Sequence, residues 1–404
     1  MSRTHATEPV DLVLPSRLRR GLTVGVLLVI AAAILGIVST WPGTVPVGSP
    51  AQAQGDLVHG VVVSAHDRSC PGQFAEDRLP DGTMPTTVEC PEAVVQTDDG
   101  TRQTVIVPPA TFHGGLGAGD RVVLTHYPAD VAGQDTWVFS DVDRRLPLAV
   151  TVGVFVLLTV LVARRRGVVA LLGLGLGAVA IGGYVLPALL TRQDAVVVGL
   201  SATTAVMAVV AYLTHGFSTR TTVAFLGTVA GLLLTAAAAV LAVGAARLTG
   251  LDDETAAGVT ALTGAVDLRG VVLAGALVAA LGLLNDVTIT QAAAVWELRA
   301  ADPGAGFARL FGAGMRIGRD HLASTVYTVA FAYAGAALPT LMFLRLYPQP
   351  FGGVIGSTAV AEEIVRTAVG GAVLALTVPL TTALAAALVL RSRPHPDAPL
   401  AVAD

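Results

Sequence analysis

The chain has 404 residues, 53% hydrophobic and only 13% charged, with 44 glycines and a formal net charge of −4; its mean hydropathy is +0.70. A soluble domain carries about a quarter of its residues charged, so half that share with long Ala/Val/Leu runs excludes an ordinary soluble protein and points to an integral membrane protein. No basic patch with interleaved aromatics occurs, which excludes nucleic acid as a partner.

A spanning helix needs roughly 20 mainly apolar residues. The chain offers about eight such runs: 22–40, 147–163, 168–190, 195–213, 222–246, 271–295, 321–344 and 367–390. Arg17, Arg19 and Arg20 precede the first run. The positive-inside rule therefore places residues 1–21 in the cytoplasm. The run 22–40 is longer than a typical signal-peptide core and no clean A-x-A site follows it, so it is read as a retained anchor.

Residues 41–145 then lie outside the membrane. They open with the Pro/Gly linker WPGTVPVGSP and continue as short β-prone runs with turn chemistry between them. HGVVVSAH (59–66) is one strand. AVVQT (93–97) and RQTVIVP (102–108) flank DDG (98–100), which reads as a hairpin. GDRVVLTHY (119–127) and TWVFSD (136–141) complete a set of about five, the size of a small, OB-like β-barrel. Cys70 and Cys90 both fall in this oxidising compartment. A disulfide is the natural reading, worth about 3 kcal/mol for a loop of this length. The competing reading, a metal site using His66, Cys70 and Cys90, lacks the tight spacing such sites have. Neither a metal nor a cofactor is expected.

The multi-helix core is 146–390 and the cytoplasmic tail 391–404. Arg164, Arg165 and Arg166 follow the second run, and Arg220 lies between the fourth and fifth. Arg299, Arg309, Arg316 and Arg319 crowd the connection after the sixth, and Arg391 and Arg393 follow the eighth. All fall inside if the chain crosses about eight times with both termini cytoplasmic. Asp252, Asp253, Glu254, Asp267, Glu362 and Glu363 then fall outside. The expected fold class is an α-helical polytopic membrane protein with a small extracytoplasmic β-rich, barrel-like domain between its first and second helices. The bacterial cytoplasmic membrane is its expected place.

The sixth run holds a carboxylate, Asp286, beside Asn285. A central charged residue costs about 2.5–3.5 kcal/mol on insertion scales, and such residues are functional candidates. At 100° per residue, Asp286, Thr290, Ala293 and Glu297 share one face while Thr288 and Gln291 point elsewhere. This helix is therefore expected to be largely enclosed by protein. In the seventh run Asp320, His321, Ser324 and Thr328 share a face. In the eighth, Glu363, Arg366, Thr367 and Gly370 do, and Thr377 and Thr381 continue it. Gly335 and Gly370 are placed for close helix approach, and Pro339 and Pro379 for breaks or kinks. One reading is a polar path for a small ion or solute. Asp286 sits at its centre, Asp320 and His321 at the cytoplasmic mouth, and Glu363 and Arg366 at the outer mouth. The plainer reading is that hydroxyls bond Asp286 and pin helix packing, with the end charges as ordinary interfacial ones.

The segments LNDVTITQA (284–292), GRDHLASTVYTVAFAYAGAALP (318–339) and EEIVRTAVGGAVLALTVPLTTALAAAL (362–388) resemble the YibE/F family of bacterial polytopic membrane proteins. DRRLPLAVTVGVFVLLTVLVARRRGVVALLGL (143–174) adds to the likeness, which extends over most of 55–390. The resemblance implies an N-terminal anchor, an extracytoplasmic segment and a permease-like core. It places Asp286, Arg319, Asp320, Glu363 and Arg366 in family motifs, and it supplies no substrate. The expected function is proton- or cation-coupled transport. The alternative is a non-transporting scaffold or receptor whose β-domain binds an envelope protein. A GxGD pair, a GxSG segment and a GxxxxGK[ST] loop are all missing, so no enzymatic activity is expected.

Overall fold

The structure is a computed structural model describing residues 12–44, 55–71, 83–129, 135–250, 267–346 and 350–394. Part of the 41–50 linker, the acids Asp252, Asp253 and Glu254, and most of the 391–404 tail lie outside the described residues. Two compact units form, one from 48–162 and the other from 1–47 with 163–404.

The smaller unit is built on alternation. Its strands are β1 (Asp56–His66), β2 (Glu92–Thr97), β3 (Arg102–Ile106), β4 (Arg121–Tyr127) and β5 (Thr136–Val142). They form one antiparallel sheet in the order β3-β2-β1-β4-β5. Ala93 and Val95, Val105 and Val107, and Val122 and Leu124 alternate along their strands and are fully buried with Val62 and Phe139. Period-two spacing thus puts every second side chain on the covered face. β1 pairs with β4 through its first half and with β2 through its second. A register shift between Val62 and Ser64 bends it. β3 and β5 approach each other, so the sheet curls into a half-barrel. The β2–β3 turn is Asp98–Gly100, with Gly100 at φ 89, a left-handed conformation that glycine adopts without strain. A disulfide joins Cys70 to Cys90, with Cα atoms 5.8 Å apart.

The larger unit is helical. Its helices are α1 (Ser16–Ser39), α2 (Arg145–Ala180, whose first part belongs to the smaller unit), α3 (Ala195–His215), α4 (Thr219–Ala245), α5 (Leu268–Ala301), α6 (Phe307–Ala336), α7 (Leu338–Leu346) and α8 (Thr358–Val389). Asp194 caps α3 by accepting from Val197 N at 2.9 Å, and Ser218 caps α4 by accepting from Thr221 N at 3.1 Å. α5 is central, packed by α3, α4, α6 and α8. Leu232, Leu277, Leu284, Val373 and Val378 meet in the main apolar cluster. α1 is tied to its neighbours by buried hydroxyls. Thr40 Oγ1 bonds Tyr184 Oη at 2.6 Å, and Tyr184 Oη bonds Ser201 Oγ at 3.0 Å.

Among the described residues, six helices are long and apolar enough to cross a membrane, against the eight crossings expected. Two differences account for this. The runs 147–163 and 168–190 fall in one 46-residue helical stretch, Arg145–Leu190. Its pieces meet at a kink at Arg164, φ 51 and ψ −129. The run 321–344 is divided. α6 starts earlier, at Phe307, and carries Arg309, Arg316, Arg319 and Asp320; it ends at Ala336, and α7 restarts at Leu338. Pro339 offers no N–H to continue the ladder there. Pro379, by contrast, stays inside α8.

Candidate functional site

Two polar groupings come from α5, one on each side of it. The first is buried. Thr288 is fully buried, and its hydroxyl meets that of Thr228 on α4 at 2.6 Å. Gln291, 2% exposed, donates from Nε2 to Gly314 O on α6 at 2.7 Å. Thr377, Thr381 and Thr382 of α8 are buried beside them. Thr377 and Thr382 donate to the carbonyls of Val373 and Val378 one turn back, whereas Thr381 Oγ1 has no hydrogen-bond partner among the described residues.

This layer is dense because glycines admit it. A Cβ on Gly227 would stand 2.5 Å from Thr381 Oγ1, and one on Gly231 2.9 Å from Thr377 Oγ1. A Cβ on Gly314 would meet Thr382 Cγ2 at 2.8 Å, and one on Gly318 would meet Val378 Cγ1 at 2.6 Å. The expected close approaches at Gly335 and Gly370 do not occur. Among the described residues nothing stands within 4 Å of a Cβ at Gly335, and only Leu283 at 3.7 Å at Gly370. The signal for the true contacts is in the sequence as two small-xxx-small pairs, GTVAG (227–231) and GMRIG (314–318).

The second grouping is open. Asp286 and Thr290 are exposed rather than enclosed. The Asp286 side chain is 63% exposed and its Oδ2 lies 3.3 Å from His321 Nε2 on α6. The nitrogen makes no hydrogen bond to it. The structure therefore sets His321 directly against Asp286, not at a separate mouth. Asn285, the residue before Asp286, has its Oδ1 buried without a hydrogen-bond partner among the described residues. An orphaned buried acceptor costs about 1–3 kcal/mol.

The remaining expected residues are not drawn to Asp286. The Thr290 hydroxyl donates to its own helix at Asp286 O, 2.8 Å, and that of Thr328 to Ser324 O, 2.8 Å. Asp320, Ser324 and Thr328 are exposed along α6. Glu363 and Arg366 pair with each other within α8 at 2.8 Å. Among the described residues no group of three His, Cys, Asp or Glu stands close enough to hold a metal.

A family profile described as YibE/F-like protein matches residues 151–391. The chain belongs to this family. No curated protein and no solved structure matches it. The YibE/F match takes in α3 to α8, hence both polar groupings. It begins after the sheet, so the likeness expected to start at residue 55 is not part of it. Family and apolar helices together make this a membrane protein.

Proposed function

We propose that the protein is a multi-pass permease of the bacterial cytoplasmic membrane. It moves a small ion or solute coupled to a proton or cation, with Asp286 and His321 as the coupling pair. The observation that carries this reading is their 3.3 Å contact, with Asp286 midway along the apolar helix α5. An imidazole carries an exchangeable ring proton. Against a carboxylate it forms a pair that exchanges one proton or one cation. Thr290, Ser324 and Thr328 line the same open side, with Asp320 towards the cytoplasm and Glu363 and Arg366 towards the outer end. In this reading the chain crosses about eight times, with the anchor 22–40, the outer domain 41–145 and the core 146–390. It performs no catalysis.

The test is proton movement in proteoliposomes holding a pH-sensitive dye, under imposed gradients of cations and anions. Wild-type protein is expected to move protons above the protein-free background, and Asp286→Asn to return it to background. Undiminished movement in a correctly inserted Asp286→Asn protein would sink the assignment.

A second reading has its own observation: among the described residues β3 and β5 end the sheet without a hydrogen-bonded neighbour on their outer sides, though they approach each other, and such edges are templates for an added strand from an envelope protein. Proton flux that survives deletion of 51–143 favours the permease over this scaffold.

A further inference from the structure

A cavity of about 520 Å³ opens among α1, α3, α4 and α5, away from the Asp286 pair. Its walls are apolar: Val26, Leu27 and Ile30 of α1, Tyr212 of α3 and Trp296 of α5. Its rim is not. Arg19 and Thr23 stand on α1, Ser218 and Arg220 at the start of α4, and Glu297 on α5. From Arg19 to Ile30 the helix rises about 16 Å at 1.5 Å per residue, so the cavity runs from a charged end into the apolar depth of the bundle.

The rim charges do not cancel. Arg220 touches Glu297 only at 3.9 Å, which leaves most of its guanidinium donors unused. Arg19 is exposed and appears in no ion pair among the described residues. Two arginines against one carboxylate leave one net positive charge. The first turn of the 27-residue α4 also faces this space; Ser218 takes its Thr221 N–H, and the other N–H groups of the turn, with the helix dipole, favour an anion. A basic rim over an apolar slot between membrane helices is the arrangement that holds a lipid head.

We propose that this cavity binds a phospholipid. Its single-charged phosphodiester sits between Arg19, Arg220 and the start of α4. The upper part of one acyl chain lies along Val26, Leu27 and Ile30. This site is independent of the permease reading, and its test does not require transport.

The protein has three tryptophans, and Trp296 lines the cavity. In a Trp41→Phe, Trp137→Phe background it becomes the reporter. The purified full chain in detergent is titrated with phosphatidylglycerol brominated on its acyl chains. Quenching is expected to saturate at about one lipid per chain, one per cavity, and to be unaffected by millimolar inorganic phosphate. Arg19→Gln and Arg220→Gln should each raise the half-saturation concentration about tenfold, the size of one charge-assisted hydrogen bond. Thr23→Phe, which narrows the slot without changing charge, should also raise it; if an arginine variant fails to insert, this variant decides. Quenching that climbs linearly with lipid, or that is the same in all variants, overturns the site. Displacement of the bromolipid by inorganic phosphate overturns the lipid as its source and leaves a free-phosphate site.

Discussion

Asp99 closes the β2–β3 turn by accepting from Thr97 Oγ1, from Thr101 N at 3.0 Å and from Thr101 Oγ1 at 2.9 Å. These bonds favour the ionised carboxylate, the Thr97 hydroxyl most of all, and hold its pKa below the usual 3.8. The folded value is thus lower than the unfolded one. The contribution to stability is full above the unfolded value and is lost as pH falls through the folded one. Asp99→Asn should accelerate hydrogen exchange at Gly100 and Thr101 at pH 7. The gap between wild type and variant should close as pH drops below the ordinary carboxylate range. An equal gap at pH 7 and pH 3 would show that the turn does not depend on the charge.

Helix contacts were only partly legible. The strands could be read because alternation and turn residues act locally: AVVQT and RQTVI around DDG suffice to set a hairpin. Asp286 stood out because a carboxylate in an apolar run has no local reason to be there. What covers each face of α5 is decided by helices far away in sequence. The sequence puts Thr288 and Gln291 on a different face from Asp286 but does not say which face is covered; they occupy the buried one, because α4 and α6 bring glycines against them. Those glycines make a strong prediction. Gly227→Ala puts a methyl where Thr381 Oγ1 is 2.5 Å away, and overpacking of this kind costs about 1–3 kcal/mol. The Tm of the purified protein should fall accordingly. Thr381→Ala removes both the obstructing oxygen and a hydroxyl with no partner, so alone it should cost less and in the double variant it should restore most of the loss. A coupling of about 0.5–3 kcal/mol is expected between neighbours of this kind. A double variant no more stable than Gly227→Ala would mean that the clash is relieved elsewhere.

At the scale of the whole chain, helix length and arginine placement can be set against each other. If Arg145–Leu190 crossed once and α6 and α7 not at all, six crossings would follow. The connections after α3 and after α5 would then lie outside. That arrangement exports Arg220, Arg299, Arg309, Arg316 and Arg319, against the positive-inside rule. It also leaves a 46-residue helical stretch, about 69 Å at 1.5 Å per residue, to span an apolar core of about 30 Å. A turn at Arg164, with Arg165 and Arg166 beside it, resolves both difficulties. Each half would then span once, and the arginines would sit at the cytoplasmic interface. About eight crossings return both connections to the inside. Phe217, 92% exposed, and Gly304, also exposed, report on these two connections. The two cysteines of the chain are bonded to each other, so Phe217→Cys or Gly304→Cys introduces a single reactive thiol. A membrane-impermeant maleimide should label both positions in inverted vesicles and neither in spheroplasts. Labelling of both in spheroplasts would establish six crossings, and would require Arg299 and Arg309 to be held outside by contacts strong enough to override the usual charge asymmetry.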